Sequence, residues 1–181
     1  MKSRLLIIAL LLTAIRFAHG NPQAQNTVDA YFNAIRNEEY VRVAEMIAPA
    51  ELERFKSIWT AFAIASTNIP NAAEIMEPYL QGQSIRQLEA IPAKDALARF
   101  LQFATNHADA KEAFQPPSKY KIHRYLEGAD MPSLIINYDT DERNVDMEYR
   151  FDTSDGSWKL FLPDPILHAV NKIAKSVRAM N

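Results

Sequence analysis

The hydrophobic period of this chain changes near Ser118, and that change most constrains its fold. Before it, apolar residues recur at three- and four-residue spacing, the mark of helices with one buried face. After it, apolar and polar residues alternate, the mark of strands with one face in a core and one in water. Helices first and strands afterwards predict an α+β fold with an antiparallel sheet.

In the helical part, Val28, Tyr31, Phe32 and Ile35 share a face, with Asn26 or Thr27 as the expected N-cap. Tyr40, Val43, Ala44 and Ile47 continue after a break at Asn37 and stop at Pro49, which suits the first turn of a further helix. There Leu52, Phe55, Ile58, Trp59 and Phe62 form a stripe expected to be buried. Pro70, Pro78, Gly82 and Pro92 divide the next stretch. Asn71 can cap a short helix through Leu80, and residues 84–91 suit either a short strand or a loose turn. Pro92 opens a helix in which Leu97, Phe100, Leu101 and Ala104 share a face, ending near His107.

Four strands are expected at 120–127, 132–139, 144–152 and 157–162. Gly128, the pair Asp141 and Glu142, and the turn Thr153, Ser154, Asp155 and Gly156 separate them. The third puts Val145, Met147, Tyr149 and Phe151 on one face and Asp146, Glu148, Arg150 and Asp152 on the other. The tail predicts an amphipathic helix, capped by Asp164 and opened by Pro165, with Ile166, Val170, Ile173 and Val177 along one stripe.

Ahead of all this stands a secretory signal pattern: Lys2 and Arg4, an apolar run over 5–12 extending to Ile15, and small residues before an expected cut after Gly20. Cleavage removes Lys2, Arg4 and Arg16 and no acid, leaving 17 basic against 22 acidic residues, a net charge of −5. An acidic chain gives no support to nucleic-acid binding, which needs clustered Lys and Arg. With no cysteine, disulfides, thiolate metal sites, cysteine nucleophiles and a lipidated N-terminal cysteine are excluded. Four glycines in 181 residues leave no glycine-rich phosphate loop.

The order of elements resembles the nuclear transport factor 2-like superfamily, a cone-shaped α+β fold. Residues 28–35, with Glu39, Tyr40, Val43 and Ala44, look like its opening helix pair. Residues 97–103, 133–138 and 149–160 look like its third helix and closing strands, so that about two-thirds of the mature chain is covered. The stretch 63–91 is longer and more helical than a minimal member needs, and the C-terminal helix is an addition. The resemblance implies N-terminal helices packed on a curved sheet in a single domain, 21–181, and it points to exported bacterial members. Its members include isomerases, dehydratases, hydrolases and noncatalytic partners, so the fold alone does not name a function.

Acid–base members place a desolvated carboxylate, or a His–Asp pair with a tyrosine, inside the cone. Here the acids of the third strand lie opposite its aromatic face, which argues against catalysis there. Asp29 and Tyr31 stand two apart on a helix and point in different directions. His107, His123 and His168 each stand alone in their segments, with no zinc spacing. Asp152, Asp155 and Gly156 suit a hairpin turn better than a calcium loop, and no serine sits in a nucleophile elbow. No catalytic residue, metal or cofactor is assigned. Tyr31, Trp59, Phe62, Phe100, Phe103, Tyr149 and Phe151 are candidates either for plain core or for the lining of a ligand cavity. The terminal stripe Ile166, Val170, Ile173 and Val177 suits packing on its own domain, a homodimer or partner contact, or a membrane surface. The expectation is an exported, periplasmic or secreted binding module without chemistry. Its partner is a protein or, alternatively, a small apolar ligand carried in the cone.

Overall fold

The computed structural model describes residues 21–69, 71–108, 110–128, 131–139 and 144–179. The expected signal peptide and the Asp141–Glu142 separator lie outside them. Seven helices precede, flank and follow one antiparallel sheet: α1 (Pro22–Arg36), α2 (Tyr40–Glu45), α3 (Pro49–Ser66), α4 (Ala72–Leu80), α5 (Ile85–Ala90), α6 (Ala93–Asn106), then β1 (Lys121–Leu126), β2 (Ser133–Asp139), β3 (Asn144–Asp152), β4 (Lys159–Leu160) and α7 (Asp164–Arg178). A short 3-10 turn, Lys111–Phe114, joins α6 to the segment that leads into the sheet. The fold is α+β, with the N-terminal helices on a curved, open sheet in a cone-like arrangement and an added C-terminal amphipathic helix.

α1 begins a turn earlier than expected. The Asn21 carboxamide oxygen accepts the N–H groups of Gln23 and Ala24 at 2.9 and 3.4 Å, and Pro22 opens the first turn. That pair supplies both a cap and a fixed φ, so Asn26 and Thr27 fall inside the helix. The start of α7 shifts by one residue: Asp164 is its first helical residue and Pro163 precedes it.

The stretch 84–91 is a helix rather than a strand or turn. The Ser84 hydroxyl accepts the Gln87 N–H and the Gln87 carboxamide accepts the Ser84 N–H, closing a capping box. Leu88 then turns inward and is buried. Asn71, by contrast, stands at the start of α4 in the left-handed region and caps nothing with its side chain. On α3 the stripe is narrower than expected, because Ile58 at its edge is exposed.

The strands pair in the order β1-β2-β3-β4, and the pairing of β1 with β2 shifts between Ile122 and Arg124. Such a bulge bends a strand and raises its twist. The alternation of β3 is realised: Tyr149 and Phe151 are buried and Val145 and Met147 half-buried, while Asp146, Glu148 and Arg150 are exposed. Opposite them on the same face stand Tyr138, Ile136 and Leu134 of β2, paired with Val145, Met147 and Tyr149. Leu160 of β4 ties the sheet to the helices, donating its N–H to the Met46 carbonyl at 2.7 Å and accepting from Ala48 at 2.8 Å.

α6 is the central helix, touching α2, α3, α4 and α7, with Leu97, Phe100, Leu101 and Ala104 buried. α7 lies against α3, α6 and the 3-10 turn. Its residues Ile166, Ala169, Ile173 and Val177 are buried within the chain.

Candidate functional site

The curved sheet, α1 and the start of α7 enclose a cleft of about 530 Å³. Its walls are Tyr31, Phe32 and Ile35 from α1, Tyr138 from β2, Val145, Met147 and Tyr149 from β3, and Phe114, Pro116 and Pro117 from the connecting segment. Its rim carries Glu112, Gln115, Asp164 and His168. The position follows from the sequence in two ways. Alternation on β3 sends its apolar residues to the concave side, and two prolines keep the connecting segment from continuing the 3-10 turn across the opening. Arg36 holds that segment in place by donating to the Pro117 carbonyl at 2.6 Å.

The inner wall is an aromatic cluster. The ring of Tyr149 lies 6.0 Å from Tyr31 and 5.7 Å, edge-on, from Phe32, and Phe32 meets Tyr120 edge-on at 5.6 Å. The Tyr149 hydroxyl donates to the Met147 sulfur at 2.9 Å. Burial pushes the Tyr31 and Tyr149 phenols far above their ordinary range, and for Tyr149 the nearby Tyr31, Tyr138 and Asp164 push the same way. Both hydroxyls therefore act as neutral hydrogen-bonding groups across any physiological pH. Among the described residues the Tyr31 hydroxyl has no hydrogen-bond partner, although the residue is only 3% exposed.

The seven aromatic candidates do not line one cavity. Tyr31 and Tyr149 reach the cleft. Trp59, Phe62, Phe100 and Phe103 belong to a separate cluster within the helical layer, where Trp59 and Phe100 meet edge-on at 4.6 Å and are buried completely or nearly so. Phe151 packs edge-on against Trp158 at 5.3 Å. Of the terminal stripe, Ile166, Ile173 and Val177 are buried and Val170 half-buried, so this face is turned into its own chain.

His168 is not alone, as its segment suggested. With Asp164 inside α7, the two are one turn apart and both reach the rim of the cleft. Glu112 joins them from the 3-10 turn, a residue that no periodic pattern singles out. Asp29 does not meet Tyr31. Its carboxylate accepts the Tyr120 hydroxyl at 2.7 Å on the wall of a neighbouring groove. His107 ends α6 against the edge of Phe103, and His123 lies exposed on the outer sheet face, its Nδ1 3.8 Å from Asp146. Asp155 accepts from the Ser157 N–H and hydroxyl, closing the hairpin turn.

Two further grooves, of about 850 and 660 Å³, open beside Lys119 and Tyr120 and beside Arg99. Long charged side chains line both, whereas the cleft has a wall of buried aromatic rings. Among the described residues, apart from the tyrosines, the buried polar side chains are Thr60, Ser66 and Ser133. Glu112 and Asp164, the carboxylates that line the cleft, are both exposed, unlike the desolvated carboxyl group that acid–base chemistry needs. It can bury an apolar body, donate from phenols, and offer two carboxylates at its rim. Compared with known proteins, the chain matches no family model, no curated protein and no solved structure.

Proposed function

We propose that this chain is an exported, noncatalytic binding module of the bacterial envelope, similar in form to nuclear transport factor 2-like proteins, and that its cleft carries a small, largely apolar ligand. Of the two partners considered from the sequence, the small ligand is favoured by one observation: the 530 Å³ cleft backed by the buried rings of Tyr31 and Tyr149. That volume lies within the range of small-molecule sites, and the apolar wall with few polar groups is their usual lining. A ligand burying about 200 Å² of apolar surface there gains about 5 kcal/mol at about 25 cal/mol per Å². Association costs reduce this, so affinity in the millimolar range or weaker is expected without further polar contacts. The inward stripe of α7 weighs against a partner docking on that face.

Native mass spectrometry of protein purified gently from the exported fraction tests the proposal, with Val145→Trp as the companion variant. Val145 is half-buried on the cleft wall, so the indole fills the cleft without entering the core. A reproducible small added mass, lost in the variant, is the expected result. A protein empty in every preparation, or an added mass that Val145→Trp leaves unchanged, contradicts the carrier reading.

A further inference from the structure

The charged groups around the cleft have a consistent sign. Glu112 and Asp164 stand at its rim, no Lys or Arg lines it, and neither acid forms a salt bridge among the described residues. Arg36 sits with its guanidinium 5.9 Å from the centre of the Phe32 ring and donates to the Pro117 carbonyl, and its side chain lines the neighbouring groove rather than the cleft. The imidazole of His168 is the one other titratable group at the rim. Behind the rim lie the rings of Tyr31, Phe32, Tyr138 and Tyr149. Aromatic faces carry negative charge density, and they attract ammonium groups most strongly where water is excluded. The hydroxyl of Tyr31 adds a polar group on the same wall.

From these features we infer that the cleft selects an organic cation: an ammonium group, primary to quaternary, on a compact apolar body. The inference rests on the cleft being the ligand site. The apolar body lies against Met147, Val145 and the aromatic wall, and the cationic head sits between Glu112 and Asp164. An anionic ligand of the same shape meets two carboxylates and no fixed positive charge, and is rejected. A neutral one loses the carboxylate attraction and keeps the apolar contact.

The test is isothermal titration of the mature protein with three probes that share one chain and differ in the head: hexyltrimethylammonium, 1-hexanol and hexanesulfonate. All three titrations are run in the same buffer at pH 8. The cation is expected to bind about tenfold or more tightly than the alcohol, and the sulfonate weakest, with the cation's advantage falling as salt rises. In the double variant Glu112→Gln with Asp164→Asn the advantage shrinks to about twofold or less. If Asn at the first position of α7 unsettles the helix, Glu112→Gln alone, in an exposed turn, still lowers the preference. Equal binding of the three probes, or a preference that survives the double variant, overturns the cation inference and leaves the cleft as an apolar site. Binding of no probe overturns both.

Discussion

Two aromatic clusters of similar composition sit within this chain, and they do different work. The one around Trp59 lies between α3, α4 and α6 and is closed: Trp59, Phe100 and Tyr79 are almost wholly inaccessible and none lines the cleft. The one around Tyr149 lies between α1 and the sheet, with hydroxyls among its rings and an opening on one side. The first lies among three helices, while the second is covered by α1, the start of α7 and a segment of two prolines. A cluster becomes an open wall when one of its covering elements is missing, whatever its residue types.

The largest expected difference between the clusters is in stability. Trp59→Ala should cost about 3–5 kcal/mol in chemical denaturation. Tyr149→Phe, which keeps the ring and loses only a hydroxyl bonded to sulfur, should cost about 1 kcal/mol or less. A loss at Trp59→Ala as small as that at Tyr149→Phe would contradict the close packing of the Trp59 ring.

Buried phenols of both clusters should show themselves at high pH. Tyr79 is pushed up to about 12, mainly by burial, with the Arg99 guanidinium over its ring pulling partway back. Tyr31 and Tyr149 are raised further, and no cation offsets the burial. A phenol whose folded value exceeds its unfolded one contributes stability that is complete below pH 10 and declines above it. The unfolded chain releases the proton while the folded one keeps it. Stability should therefore fall above pH 10 by up to about 1.4 kcal/mol per pH unit for each of Tyr31 and Tyr149. Tyr149→Phe should remove one such share, while those of Tyr31, Tyr79 and Tyr120 remain. Denaturation midpoints between pH 9 and 11.5 measure it, and a flat profile would contradict the burial of both phenols.

α7 separates the same two ideas, core against surface, along one helix. Ile173→Glu places an unpaired charge in the core and should cost about 3 kcal/mol or more. Leu167→Glu, at a position 43% exposed, should change stability by about 0.5 kcal/mol or less. Sedimentation alongside denaturation distinguishes this from a partner surface: an Ile173→Glu protein that stays fully folded but changes its assembly state would show the stripe to be an interface. A smaller effect belongs to α5, where Ser84→Ala should cost about 1 kcal/mol through loss of the capping box.

The sheet and α7 were legible in the sequence because nine residues of β3 and fifteen of α7 are long enough for a period to show. α5 was not, since six residues hold too little of a helical period, and only the Ser84 and Gln87 pair marked its start. The site was legible in part. Tyr31 and Tyr149 were singled out, but Trp59 and Phe100 looked the same, because a helical stripe shows that a face is buried and not whether helices or a sheet cover it. His168 was passed over for want of one residue: with Asp164 treated as a cap its spacing to His168 carries no meaning, and inside the helix it brings the two to one rim. Glu112 lies in a 3-10 turn with no periodic pattern, and only the folded chain brings it to the cleft.

Methyl-labelled methionine tests the central claim most directly, because each cluster holds its own reporter. Met147 lines the cleft, and Met76 is buried on α4 in the helical layer. On titration with hexyltrimethylammonium, the Met147 methyl resonance is predicted to move in a saturable way while that of Met76 stays fixed. Movement of Met76 with Met147 unchanged, or no movement of either, would contradict the account.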